Sequence, residues 1–159
     1  TVAANVDYAL KLRGLPGKER QNRTTDALSR VGLKRLKDSP ARVLSFGEQQ
    51  KLALARVWAL KPEVLFLDEP TASLDPAATH DVEKIIQAIH AEGTRIIMTT
   101  HDLSQARRIA DDVMFLHRGR LLEQAPAKQF FTHPKKPCNL VLIEDLSKAK
   151  LWNGERGKT

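Results

Sequence analysis

The sequence holds a single cysteine, Cys138, so no internal disulfide can form, and no nucleophile pattern surrounds that thiol. A reducing compartment is the expected setting. No apolar run approaches the roughly 20 residues that a membrane-spanning helix needs, and no charged-then-apolar signal segment opens the chain. Membrane association is therefore expected only through partners. Aromatic residues are scarce, 5% of the 159, and do not interleave with basic ones in the way that stacks single-stranded nucleic acid. The net charge of +7 comes from lysines and arginines spread over the helical segments. Only the stretch after Leu116 is conspicuously basic, with Arg118, Arg120, Lys128, Lys135 and Lys136 among its cations. Solvated surface accounts for that charge, and nucleic acid is not the expected partner.

With 42% hydrophobic residues the chain can bury a core of α/β type. It opens at Thr1 without a turn or cap signal, in the middle of a periodic segment, and is expected to be a piece of a longer polypeptide. Val2, Val6, Ala9 and Leu10 recur at helical spacing up to a stop near Gly14, Pro16 and Gly17, and a more polar helix is predicted from Lys18 to Val31. From Ser45 onward helices and apolar runs alternate. Helices are predicted over Gly47–Leu60, Pro76–Ala91, Leu103–Ala110 and Ala127–Phe131. Strands are predicted over Val64–Leu67, read as buried, Arg95–Thr100, Val113–His117, and Arg120–Glu123 after a turn at Arg118 and Gly119. In the fourth helix Val82, Ile85, Ile86 and Ile89 share a face. This alternation predicts a mostly parallel sheet with flanking helices. Thr132–Pro137 reads as a loop, and neither repeats nor low-complexity tracts occur.

Three segments carry chemistry. Val64–Asp75 reads V-L-F-L-D-E-P-T-A-S-L-D, an apolar strand that delivers two adjacent carboxylates, Asp68 and Glu69, to its end; Asp75 followed by Pro76 is a good helix start. Leu44–Lys51 reads L-S-F-G-E-Q-Q-K, where Ser45 and Glu48 fit the capping-box spacing, so the segment is a helix N-terminus and a natural anion site. Thr99–Asp102 reads T-T-H-D, with His101 following a strand and Asp102 placed to cap a helix. The other histidines, His80, His90, His117 and His133, have no such context, and their spacing does not suggest a metal site.

In this order the three segments resemble the ATP-hydrolysing subunit of an ABC transporter: signature motif, Walker B, D-loop and switch histidine. The resemblance implies a P-loop NTPase-like ABC cassette and the cofactors ATP and Mg²⁺. It gives Asp68 the metal, held through water, and Glu69 the polarisation of the attacking water. It gives His101 a hydrogen bond to the γ-phosphate. In the signature, Ser45 and Gly47, with Glu48 in the same motif, would meet the γ-phosphate bound by the opposite subunit, and Asp75 would cross the dimer interface as well as cap its helix. One departure stands out: Phe46 occupies a position where the family has glycine, which removes backbone freedom beside the phosphate.

The resemblance covers roughly Thr1 to Pro134, the later part of a cassette. A phosphate-cradling loop, G-x-x-x-x-G-K-[ST], is not found: Gly157-Lys158-Thr159 matches its last three residues, but Trp152 stands at the first glycine position. The Walker A part and the Q-loop are therefore expected outside this sequence. Residues 1–44 read as the helical subdomain after the Q-loop, 45–134 as the signature, Walker B, D-loop and switch part of the core, and 135–159 as a basic tail. The expected assembly is a head-to-tail homodimer whose subunits each close the other's ATP site. It is peripheral on the cytoplasmic face of the membrane, contacts permease subunits through Thr1–Asp38, and works with a substrate-binding protein. Overall likeness over Arg95–Phe131 points to oxyanion importers of the tungstate and phosphate groups. Two other readings stay open: a soluble ABC-type ATPase acting on nucleic acid or ribosomes, although Thr1–Leu44 has no heptads for the coiled coils of repair proteins, and a non-catalytic cassette remnant.

Overall fold

The computed structural model describes residues 1–133 and 141–144. The chain divides into two compact units, Thr1–Arg95 and Ile96 onward.

In the first unit the four-residue recurrence of Val2, Val6 and Leu10 places them in one stripe of helix α1 (Val2–Leu12), where all three are fully buried. Removing three such side chains from water contributes roughly 5–9 kcal/mol as an upper estimate. Thr1 caps α1 after all: its hydroxyl accepts from the Ala4 N–H at 3.1 Å, so the chain does open on a cap. The signal was faint because threonine caps helices less well than serine or aspartate. Gly14, at φ +75°, lies just past the helix end, close to the expected stop. Helix α2 (Gly17–Arg30) is polar and turns only Thr24, Ala27 and Leu28 fully inward. Two single-turn 3₁₀ segments, Lys34–Leu36 and Ala41–Val43, lead to the signature; three residues are too few to leave a periodic trace in sequence.

Helix α3 (Phe46–Leu60) packs against α1 and α2 and buries Leu52, Ala55 and Trp58 among others. Strand β1 (Val64–Asp68) follows, then helix α4 (Pro76–Ala91), which buries the expected Val82, Ile85, Ile86 and Ile89 and packs against α3. The far end of this bundle is tied by Glu92, which accepts from the Trp58 Nε1–H at 2.9 Å and also from the Arg30 guanidinium. Arg30 in turn lies 4.9 Å over the Trp58 ring. One expectation fails here. Strand β1 is not buried throughout: Leu65 is, but Phe66 is 72% exposed and Val64 39%. Alternate strand residues point to opposite faces, so the face of Leu65 is packed while the face shared by Val64, Phe66 and Asp68 is open.

The second unit holds β2 (Arg95–Thr100) from Ile96 on, α5 (Leu103–Ile109), β3 (Asp112–His117), β4 (Arg120–Pro126), α6 (Ala127–Thr132) and β5 (Val141–Glu144). Its strands lie in the order β2-β5-β3-β4. Burial alternates along β2, with Ile96, Met98 and Thr100 inward, as a strand covered on one face requires. The β3–β4 hairpin turns through Arg118 and Gly119, at φ +49° and +72°. Paired positive φ values match the right-handed twist of a two-residue hairpin, and arginine takes one of them. Phe130 closes the unit's core, 5.2 Å edge-on from Phe131.

The mostly parallel arrangement is not what the described ladders of this unit contain. Strand β5 pairs antiparallel with both β2 and β3, and β3 with β4. Strands β2 and β3 therefore run in the same direction, as their connection through α5 predicts, but a reversed strand lies between them. That strand comes from the segment read as a basic tail. The rest of that segment, and the end of the predicted 132–137 loop, lie outside the described residues.

Candidate functional site

The signature helix begins as its spacing predicts. Ser45 has extended backbone (φ −60°, ψ 163°) and a full capping box. Its Oγ accepts from the Glu48 N–H at 3.4 Å, while Glu48 Oε2 accepts from the Ser45 N–H at 2.8 Å and from the Ser45 hydroxyl at 2.9 Å. These bonds, the backbone one foremost, hold the Glu48 carboxyl below its ordinary range. Gln49 donates from Nε2 to the Leu44 carbonyl at 2.9 Å and ties the helix to the loop before it, a contact the sequence did not suggest. Phe46 is the first helical residue and does not adopt positive φ, so its backbone has no need of glycine; its ring is half exposed.

Asp68 is the last residue of β1 and is exposed; Glu69 follows, half-buried. The backbone here is unusual. Glu69 has φ +46° and Ser73 φ +65°, two non-glycine residues in the left-handed region within five positions. Each such conformation costs roughly 1–2 kcal/mol, and strain of this kind clusters where a side chain must be aimed. The turn is closed by Ala72 N–H to Glu69 C=O (3.0 Å) and Leu74 N–H to Thr71 C=O (3.2 Å). Asp75 then caps α4, its Oδ1 accepting from the Ala77 and Ala78 N–H groups, both at 2.9 Å, with Pro76 at the first helical position. Helices α3 and α4 meet at their starts, where Gly47 lies against Leu74 and Ala78. The Lys51 ammonium joins Asp81 at 2.6 Å, which holds the Asp81 carboxyl below its usual range.

The first unit thus contains the signature serine, the acidic pair and the Asp75 turn. In the second unit His101 follows β2 and is exposed. Its neighbours fix the turn: Asp102 N–H donates to Thr100 Oγ1 at 3.0 Å, and Asp102 Oδ1 accepts from the Ser104 and Gln105 N–H groups at 2.8 and 3.1 Å. Among the described residues no group of three or more His, Cys, Asp or Glu gathers to hold a metal by itself. The donor set suits Mg²⁺ in another way, since that ion binds through one or two carboxylates and completes its shell with water and phosphate oxygens. Exposed Asp68 at a strand end can supply such a carboxylate.

The fold is that of an ABC-type P-loop NTPase cassette. An ATP-binding subunit of an ABC transporter matches it at a TM-score of 0.68 and 29% identity, over 82% of this chain and 56% of that one. The solved structure of cbiO1 from Clostridium perfringens, described as part of the ABC transporter complex cbiONQ, matches at a TM-score of 0.77 and 35% identity, over 84% of this chain and 53% of that one. The family model described as ABC transporter matches residues 1–72. The glutamine transport ATP-binding protein GlnQ of Geobacillus stearothermophilus is 36% identical over 144 residues, 90% of this chain and 60% of that protein. The phosphate import ATP-binding protein PstB of Mycoplasmoides gallisepticum is 39% identical over 139 residues, 84% of this chain and 42% of that protein. In sequence and in fold the chain is similar to ATP-binding subunits of ABC transporters over most of its length. It spans about half the length of the relatives it matches.

Proposed function

We propose that this chain is the signature-to-switch part of the ATP-hydrolysing subunit of an ABC importer, peripheral on the cytoplasmic face of the membrane. The observation that carries the reading is the left-handed turn at Glu69, beside Asp68 at the end of β1 and next to the capped start of α4. In this reading Asp68 holds Mg²⁺ and Glu69 orients the attacking water. Ser45 and Gly47, with Glu48 fastened to Ser45, face the γ-phosphate held by a second copy, Asp75 lies at the interface between copies, and His101 hydrogen-bonds the γ-phosphate whose attacking water Glu69 orients. ATP would supply the phosphoryl group transferred to water, with ADP as the leaving group, and its metal would neutralise the developing charge; the residues named here would position water and donors. Residues 1–44 form the helical part, whose Thr1–Asp38 stretch meets the permease subunits, and 45–134 the core, while 135–159 include strand β5; a substrate-binding protein delivers cargo. The importer reading is supported by relatives named for glutamine transport and phosphate import. A relative from Sodalis glossinidius is named for methionine import. Our own reading of the cargo, from Arg95–Phe131, is an oxyanion such as phosphate or tungstate.

The test is ATP hydrolysis by the full-length protein assembled with its membrane subunits. Glu69→Gln should lower turnover by about 100-fold or more, the scale of a lost general base, while ATP still binds. Wild-type turnover in that variant would overturn the assignment. The 159-residue chain by itself, which contains no phosphate loop, should bind ATP weakly and show no Glu69-dependent turnover.

A further inference from the structure

Gly47 is the second residue of α3, inside regular helix, and its φ is not positive. Its backbone therefore makes no demand for glycine, and alanine is the better helix former. What crowds the position is a side chain: a Cβ there would stand 3.2 Å from Ala78 Cβ, so that a neighbour must give by a few tenths of an ångström, and 3.8 Å from Leu74 Cδ2. Both neighbours belong to the segment that fixes Asp75. Leu74 directly precedes it, and the Ala78 N–H is one of the two donors its carboxylate accepts. One turn further along both helices, Lys51 and Asp81 form an ion pair at 2.6 Å. The two helices are thus in close contact at the glycine and pinned just beyond it.

We propose that Gly47 is a positioning residue, whose bare α-carbon seats Leu74–Ala78 on the start of α3 and so fixes Asp75 relative to Ser45. The resemblance gives this glycine a different task, close approach of the phosphate. The two tasks differ in what should rescue a methyl group added at position 47. The inference rests on the proposed function for its effect on hydrolysis, but the seating itself can be measured without nucleotide.

The experiment is a cycle of Gly47→Ala, Ala78→Gly and the double variant in the full-length protein, read by thermal melting and by ATP turnover with the membrane subunits. Gly47→Ala should lower Tm by about 3 °C and turnover by about tenfold. Ala78→Gly alone should lower Tm slightly, because glycine weakens a helix. In the Gly47→Ala background the same change should raise Tm and bring turnover to within about twofold of wild type, a reversal of sign that only contacting residues produce. If Ala78→Gly costs the same in both backgrounds, the seating is wrong. If Gly47→Ala melts like wild type yet loses turnover that Ala78→Gly cannot restore, the glycine serves the phosphate and the proposal falls. Should Gly47→Ala not fold, recovery of folding in the double variant supports the seating, and its absence counts against it. A wild type without ATP turnover, or turnover indifferent to Glu69→Gln, would undo the proposed function and leave the melting cycle to decide the seating.

Discussion

The N-termini of α3 and α4 meet in the first unit and are closed by different chemistry. At α4 the cap is an anion: one Asp75 carboxylate oxygen accepts from the Ala77 and Ala78 N–H groups, both at 2.9 Å, and its charge sits at the positive end of the helix. At α3 the cap is a neutral hydroxyl, and its bond from the Glu48 N–H is long, 3.4 Å. The nearby charge, Glu48, is fastened to Ser45 and not to the N–H groups of the first turn. An external anion arriving at α4 would compete with the cap itself. At α3 it would compete with one side chain that can swing away. Two adjacent helix starts are thus divided into one closed by a carboxylate on two N–H groups and one capped by a hydroxyl through a single long bond.

The sharpest way to break this comparison is to remove each cap. Asp75→Ala should cost about 1–2 kcal/mol, the upper part of the range for a lost N-cap, or roughly 2–8 °C in Tm for a domain of this size. Asp75→Asn, which caps as well, should return most of that. Ser45→Ala should cost less, about 0.5–1 kcal/mol, because the bond it deletes is already stretched and Glu48 keeps its hold on the Ser45 N–H. Equal melting losses for the two alanine variants would remove the distinction between a closed and an open helix start.

Both starts were legible in the sequence because capping is local. Ser45 and Glu48 are three residues apart, Asp75 and Pro76 are neighbours, and the periodic apolar stripe of α4 gave that helix with its observed bounds, while that of α1 placed its stop near Gly14, shortly after the observed end at Leu12. What was not legible depends on distance along the chain or on backbone torsion. Gly47 and Ala78 approach across 31 residues, so the steric need for glycine left no mark beside it. The positive φ of Glu69 has no residue-type signal, since glutamate seldom adopts it. The open face of β1 was misread because V-L-F-L has no polar alternation to show that one side is uncovered. Strand β5 was missed because V-L-I-E is a four-residue run in a segment otherwise marked by charge.

The smallest effect sharpens the comparison by pH. Glu48 is held below its ordinary 4.5, first by the Ser45 N–H and then by the Ser45 hydroxyl. A carboxyl whose folded pKa is depressed stabilises the fold above its unfolded value and loses that contribution as pH falls through the folded one. Asp81, through Lys51, and Glu92, through Trp58, are depressed as well, so acid destabilisation is shared and Glu48 carries only part of it. Glu48→Gln keeps an acceptor for Ser45 but discards the charge. Its Tm should lie slightly below wild type at pH 7, and the gap should narrow as pH falls below about 4.5. Melts between pH 7 and pH 3 decide it. A gap that stays constant would mean that the box is held by shape and hydrogen bonding alone.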